Sequence, residues 1–400
     1  MDFIFPNEII TEGKIKVAVP RLSAFKEKPS DYAPSKAPVF YNPKMELNRD
    51  MAILALQTHQ KKLDRELYVS EPLTGCGLRG VRLAVEVEGI GKVLVNDISS
   101  EAEKMVVYNV ELNKVKDLVE VSNEDANLFL CRHAAPRKRF DYVDIDPFGS
   151  PVSYLDSAIR SLRNGGLLAL TATDMAPLCG VHPNACLRKY GGVSLRTEYC
   201  HEQAVRFVTG SLAMVAAKHE IGIDVLFSYS IDHYVRIYAI IAYGAKVADK
   251  SIQQMGYILH CFGCFHREIV IGITSHLKSV CPVCGLKLSV AGPLWLGGIS
   301  DRNWCSMMEK QMTKREFSQN KKIIKILSLV QKEAEAPATY YVVDKICDKF
   351  NLRVPPQIKV LDSLKSLGFL AELTHFNSRG FRTDAPANTI KEVITELATN

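Results

Sequence analysis

The chain has 400 residues, 47% hydrophobic and 24% charged, long enough for two or three domains and too apolar for a disordered or collagen-like protein. Fifty Lys and Arg stand against 44 Asp and Glu, and the net +6 permits a polyanionic partner without requiring one. Eleven cysteines are too sparse for a disulfide scaffold, and four of them form two Cys-x-x-Cys pairs, which points to metal in a reducing compartment.

The N-terminus carries neither a basic n-region nor an apolar h-region. The most apolar stretch, Val235 to Tyr243, is nine residues long and contains Arg236, far short of the ~18 needed to span a bilayer. The expectation is a soluble, cytoplasmic protein with no membrane partner. In chain order, Lys14–Val19 alternates like a half-buried strand. A loop with Pro20, Pro29, Pro34, Pro38 and Pro43 follows, and five prolines deny it regular structure. Asn48 is placed to cap a helix over Arg49–Leu63.

A βα alternation then begins. Strands are predicted over Leu67–Ser70, Lys92–Asn96, Val119–Ser122, Phe140–Ile145 and Gly166–Thr171. Helices are predicted over Arg79–Glu88, Ser100–Lys114, Asn127–His133 and Val152–Leu162. This pattern predicts a parallel sheet covered by helices. A helix over Glu198–Glu220 leads to two strands, Asp224–Ser230 and Tyr234–Tyr243, joined too closely for a crossover and therefore antiparallel. That ending resembles the class I methyltransferase fold. Residues 256–300 hold the Cys pairs and short strands. Beyond about Ser306, helices over Lys322–Glu333, Tyr340–Phe350 and Pro356–Leu367, with a hairpin of Phe369–His375 and Gly380–Thr383, read as a winged-helix pattern. The expected fold is α/β. It comprises a class I S-adenosylmethionine-dependent (Rossmann-like) domain over 1–255, a four-cysteine zinc segment over 256–300, and a winged-helix-like α+β domain over 301–400.

Glu71-Pro-Leu-Thr-Gly75-Cys-Gly77-Leu-Arg-Gly80 lies between the first strand and its helix. Glycines there let a ligand lie against bare backbone, although a Gly-rich turn without a ligand has the same form. Asp97 ends the second strand, 22 residues past Gly75, where a carboxylate accepts ribose hydroxyls. Asp125, followed by Ala126, ends the third, where a methyltransferase sheet faces adenine. Glu71 would crowd a pyrophosphate but suits a cationic sulfonium, which favours S-adenosylmethionine over NAD.

Asp146-Pro147-Phe148-Gly149 closes the fourth strand at the end where such sheets bind ligands. It is similar to the [Asn/Asp]-Pro-Pro-aromatic turn of enzymes that methylate exocyclic amines. The Asp146 carboxylate and the Pro147 carbonyl each accept one amine hydrogen, aiming the nitrogen lone pair at the methyl group. Phe148 stacks on the base. An ordinary strand-end turn with a buried phenylalanine is the alternative. Cys261-Phe-Gly-Cys264 and Cys281-Pro-Val-Cys284 have the spacing of a closed, structural four-thiolate zinc site, with Gly263 and Gly285 allowing tight turns and His260 and His266 at the surface. A redox pair is the alternative. The other seven cysteines, Cys76, Cys131, Cys179, Cys186, Cys200, Cys305 and Cys347, are expected as free thiols. Arg132–Arg139 and Arg188-Lys189 are candidate phosphate contacts, or solvated faces.

Several segments in order carry a wider resemblance: Val39-Phe40-Tyr41-Asn42-Pro43, Asn48-Arg49-Asp50, Asn96-Asp97-Ile98-Ser99, Asp144-Ile145-Asp146-Pro147-Phe148-Gly149-Ser150-Pro151, Thr171-Ala172-Thr173-Asp174, Cys186-Leu187-Arg188-Lys189-Tyr190 and Thr374–Pro386. Over essentially the whole chain they resemble the Trm1 family of tRNA (guanine-N2-)-dimethyltransferases. The resemblance implies transfer of one or two methyl groups from S-adenosylmethionine to N2 of guanosine 26 of tRNA. It implies Phe40 as a second aromatic wall opposite Phe148, Asp146 as the catalytic acceptor, and Arg49 and Arg79 as contacts to the donor's carboxylate. It also implies Asp97 on ribose and Asp125 with Ala126 on adenine. The quartet occurs in only part of the family, so it serves structure rather than chemistry. The target base would have to be flipped out of its stack. Residues 301–400 hold 16 Lys and Arg against 12 Asp and Glu, so that part reads RNA shape as well as charge. A monomer is favoured. Without the resemblance, the residues leave open an N6-adenine methyltransferase on DNA or rRNA and a noncatalytic zinc-ribbon RNA-binding protein.

Overall fold

The computed structural model describes all residues except 1–2, 27, 29–32, 232, 275 and 400. Pro29 of the proline-rich loop therefore lies outside the described residues. The chain divides into two compact units. One comprises Met1–Pro147, Ser153–Leu170 and Met307–Ile324, and the other Phe148–Val152, Thr171–Ser306 and Lys325–Asn400.

The first unit opens with an antiparallel hairpin of β1 (Asn7–Glu12) and β2 (Ile15–Pro20), of which only the second strand was expected. The proline-rich loop folds into short 3-10 turns, the last over Pro43–Met45. Asn42, not Asn48, is the capping side chain here, accepting from the Lys44 N–H. Helix α1 (Glu46–Leu63) grows directly out of that turn. Asn48 consequently lies inside α1, fully buried.

Next come β3 (Leu67–Glu71), α2 (Leu78–Glu86), β4 (Ile90–Asn96), α3 (Ser100–Leu112), β5 (Val119–Ser122), α4 (Ala126–Arg132), β6 (Phe140–Ile145), α5 (Leu155–Ser161) and β7 (Leu162–Ala172). Within the unit the strands pair in parallel in the order β5-β4-β3-β6-β7. Val, Leu and Ile fill these strands because a parallel sheet covered on both faces has no wet side. All six residues of β6 are buried, Asp141 and Asp144 included. Asp141 is satisfied by Arg65, by Arg163 and by the Tyr68 N–H.

The second unit contains α6 (Met175–Leu178) and α7 (Pro183–Tyr190), both absent from the sequence reading, then α8 (Cys200–Ala217). The pair β8 (Ile221–Ile231) and β9 (Tyr234–Tyr243) is antiparallel, as the short gap required. After α9 (Ala245–Ile252), strands β10 (Met255–His260), β11 (Arg267–Ile271) and β12 (Ser289–Trp295) form one small sheet. Helices α10 (Arg302–Met312) and α11 (Asn320–Glu333) follow in the chain, and Met307–Ile324 within this stretch belongs to the first unit. The remainder is β13 (Tyr341–Val342), α12 (Val343–Phe350), α13 (Gln357–Ser366), β14 (Ala371–Leu373), β15 (Gly380–Thr383) and α14 (Ala387–Thr399), with a sheet in the order β13-β15-β14. Tyr340–Val342, expected to open a helix, is extended because Tyr341 and Val342 pair with Phe381 and Gly380. Among the described residues no helix is long and apolar enough to cross a membrane.

The second unit buries an ionic chain rather than a purely apolar seam. Glu202 is paired with Arg206 and Arg382, and Arg382 also binds Glu333 at 2.5 Å and the Pro337 carbonyl. His375 is bonded to Glu333. The Thr374–Pro386 motif thus acts largely inside the fold, joining β15 to α8 and α11. Burial alone would raise Glu333, but Arg382 and then His375 outweigh it and hold the carboxyl at about 2, below its ordinary 4.5. A depressed carboxyl stabilises the fold above its unfolded pKa, and that share is lost as pH falls from about 4.5 towards 2. Glu333→Gln is expected to cost about 3 kcal/mol at pH 7, because Arg382 loses a buried counter-charge. Denaturant unfolding across pH should show the difference closing towards pH 2. An equal difference at every pH would refute this role.

Candidate active site

The end of β3, the following loop and α2 are held together from inside by Glu71. Its carboxylate accepts from the Thr74 hydroxyl at 2.6 Å, the Gly80 N–H at 2.8 Å and Arg79 Nε at 3.1 Å. Burial pushes this carboxyl up to about 7, against the opposing pull of Arg79. Glu71 therefore organises the loop rather than presenting itself at its surface. Gly75 has φ +57°, and a β-carbon there would lie 2.8 Å from the Phe40 carbonyl oxygen. Phe40 is thus brought against the glycine loop. At Gly80 a β-carbon would lie 2.3 Å from Val95 Cγ1, so α2 seats on β4 only without a side chain. Gly80→Ala should cost about 1–3 kcal/mol by overpacking. An unfolding midpoint equal to that of the wild type would refute the contact.

Asp97 is half-buried just past β4. One carboxylate oxygen accepts from the Gly75 N–H at 2.8 Å and the other from the Ser99 N–H at 3.0 Å. Each oxygen keeps acceptor capacity for a hydroxyl. Asn96, fully buried, ties three chain ends together, donating to the Pro72 and Glu124 carbonyls and accepting from the Glu124 N–H. Asp125 is exposed and caps α4, one oxygen accepting from the Asn127 and Leu128 N–H groups. Ala126 is buried behind it.

Arg79 is the centre of charge. It donates to Asn48 at 2.7 Å, lies 3.4 Å from Asp144, and is bonded to Asp146. With Glu71, three carboxyl groups surround one guanidinium. Asn48, read from sequence as a cap, is thus a site residue. The signal was its place beside Arg49, which α1 carries inward. Arg49 itself is committed elsewhere, to Glu12 through two 2.6 Å bonds and to the Asn42 carbonyl. Glu12 belongs to β1, the strand that sequence reading missed. Cys76 is buried, and burial pushes its thiol up to about 12, so it is no nucleophile.

After Asp146 and Pro147 the chain enters the second unit. Phe148 is 63% exposed. Gly149 is pinned in both directions to Thr173, its N–H donating to the hydroxyl and its carbonyl accepting from the N–H. Asp174, next in the chain, accepts from Tyr190 and Lys189. Lys189 is therefore paired. In the other basic stretch Arg132 pairs with Glu124, while Arg137 and Lys138 line a groove of about 350 Å3 with Tyr68, Lys92 and Arg163.

The four quartet sulfurs lie within 4.8 Å of one another, with Cys261–Cys284 at 3.4 Å and Cys264–Cys281 at 3.6 Å. A tetrahedral zinc with ~2.3 Å bonds needs sulfurs about 3.8 Å apart, so the donors fit. Each pair forms the same turn. Phe265 N–H donates to the Cys261 carbonyl, and Gly285 N–H to that of Cys281. The left-handed residue of the first turn is Phe265, not Gly263. At Gly263 a β-carbon would displace only the exposed tip of the Leu286 side chain. Phe265 packs against the core of the C-terminal helices. His260, expected at the surface, is fully buried against Tyr199, Phe262 and Phe265, and burial lowers it to about 3. His266 pairs with Glu268.

A parallel sheet with a glycine loop after its first strand and acids at successive strand ends defines a Rossmann-like α/β protein. More narrowly, the chain belongs to the N2,N2-dimethylguanosine tRNA methyltransferase family, whose model matches residues 13–395. It is 42% identical to the tRNA (guanine(26)-N(2))-dimethyltransferase of Methanobrevibacter smithii, across 97% of this chain and 99% of that one. It is 37% identical to the tRNA (guanine(26)-N(2)/guanine(27)-N(2))-dimethyltransferase of Aquifex aeolicus, across 98% and 96%. The solved structure of Trm1 from Pyrococcus horikoshii with S-adenosyl-L-methionine superposes with a TM-score of 0.85 at 32% identity, covering 97% of this chain and all of that one.

Proposed function

We propose that this protein transfers one or two methyl groups from S-adenosyl-L-methionine to the exocyclic N2 of guanosine 26 of tRNA. The observation that carries the reading is the Asp146-Pro147-Phe148-Gly149 turn, whose carboxylate sits on Arg79 beside the glycine loop. Full-length similarity to enzymes of that activity supports it.

S-adenosylmethionine supplies the methyl group as an electrophilic sulfonium. The chain's residues bind and orient. Gly75 and Gly77 shape the loop that takes the donor, Asp97 accepts its ribose hydroxyls, and Asp125 and Ala126 hold adenine. Arg79, and Arg49 behind it, meet the donor's carboxylate, and the carboxylates of Glu71, Asp144 and Asp146 favour its positive charge. Asp146 and the Pro147 carbonyl accept the two N2 hydrogens, while Phe40 and Phe148 sandwich the flipped guanine. Cys261, Cys264, Cys281 and Cys284 would hold a structural zinc. The C-terminal helices with the β14–β15 wing form a winged-helix-like tRNA-binding domain. The division at 255 and 300 is the corresponding domain assignment, and the protein works as a cytoplasmic monomer.

Nucleoside mass spectrometry of unmodified tRNA, incubated with protein and donor, is the test. N2-methyl- and N2,N2-dimethylguanosine are expected, and both should vanish when G26 is replaced by A. Methyladenosine, or no modified nucleoside, would overturn the reading.

A further inference from the structure

Two cysteines and a histidine outside the quartet meet in the second unit. Cys179 closes the short helix α6, while Cys200 and His201 open α8. One sulfur of each cysteine and one ring nitrogen of His201 lie within 4.8 Å of one another, and all three residues are half-buried. We propose that Cys179, Cys200 and His201 form a second thiophilic metal site, selective for Zn2+ or a similarly soft ion.

The donor set is chemically coherent. Two sulfurs and an imidazole suit zinc and related ions and give nothing to magnesium or calcium, which demand oxygen. The first peptide N–H groups of α8 favour anionic sulfur at Cys200. Three protein ligands leave one position for water, and partial exposure leaves a route for the ion.

The backbone that carries the ligands is held without any metal. Gln203, in the first turn of α8, donates to the Leu178 and Leu195 carbonyls and accepts from the Leu195 N–H. Ser194 donates to the Pro177 carbonyl, and the Cys179 sulfur lies 3.5 Å from the Cys200 carbonyl oxygen. Gly180, at φ +81°, is pressed so closely on Leu195 and Arg196 that a β-carbon would lie 2.3 Å from their backbone. The ligands are therefore presented by a preformed clasp, which suits a site where little ordering remains for the ion to impose. An ion there would tie the segment following Thr173 and Asp174 to α8.

The experiment uses the full chain, kept reduced, loaded with Zn2+, passed through gel filtration and measured for metal by mass spectrometry. Wild type is expected to carry one zinc more than the Cys179→Ser and Cys200→Ser variants. Co2+ loading should give thiolate charge-transfer absorption that falls in the same variants. His201→Gln keeps both sulfurs and should weaken metal binding at least about tenfold. Circular dichroism matching wild type shows that the variants fold. Cys281→Ser, in the other cluster, should leave this site's zinc in place. Equal zinc in wild type and in folded Cys179→Ser and His201→Gln variants would overturn the site. So would a Cys179–Cys200 disulfide found by thiol mapping of the protein as isolated.

Discussion

Asp146→Ala is expected to lower methyl transfer to guanosine by about 10^3-fold or more, while affinity for S-adenosylmethionine changes little. The N2 lone pair of guanine is delocalised into the ring, so the reaction depends on the amine being held with that lone pair directed at the methyl group. In the proposed grip Asp146 is the charged acceptor, and removing it would leave only the Pro147 carbonyl. Arg79 keeps Glu71, Asp144 and Asn48 as partners, so the donor loop should survive the substitution. Calorimetry with the donor and single-turnover kinetics on tRNA separate the two quantities. Near-normal turnover in the variant would remove Asp146 from the chemistry. A parallel loss of donor binding would recast it as a loop residue.

The second large effect is expected at the cysteine quartet. Cys281 is buried with Cys261, Leu259 and Leu288 in a cluster too small to hold together by apolar contact alone. In such segments metal binding is folding free energy, on the order of 10 kcal/mol. Cys281→Ser should cost one zinc per chain and open Met255–Trp295 to limited proteolysis. Phe265 should then leave the core of the C-terminal helices, and the melting temperature should drop. Chelation of the wild-type protein should reproduce these changes. Wild-type protein purified without chelator and holding no zinc would refute the assignment.

Much of this was legible in the residues themselves. Strand β6 and the limits of β9 follow from runs of apolar residues bounded by polar or turn residues. The glycine loop and the strand-end acids are local signals, because a βα unit brings its own loop to its own strand end. The quartet is legible because two short turns of fixed geometry impose the Cys-x2-Cys spacing. What failed was whatever depended on a distant partner. Asn48 looks like a helix cap until Arg79 is seen on it. Nothing near Arg49 in the chain announces its partner Glu12, which β1 delivers. The first residues of Tyr340–Phe350 follow a helical pattern, but pairing with β15 draws them into a strand.

The sequence alone determined the class of fold, the glycine loop, the Asp146-Pro147-Phe148-Gly149 turn and the spacing of the four cysteines, since each depends on near neighbours in the chain. Only the tertiary structure decided which charges are already spent. Arg49 and Glu12, Arg382 with Glu202 and Glu333, and the clasp of Cys179 with Cys200 and His201 join residues far apart in the chain. A buried charge must find a partner, and that partner is chosen by folding rather than by proximity in sequence. The net charge of +6 and the eleven cysteines therefore sharpen into buried ion pairs, one four-cysteine cluster and a second cluster of two cysteines and a histidine.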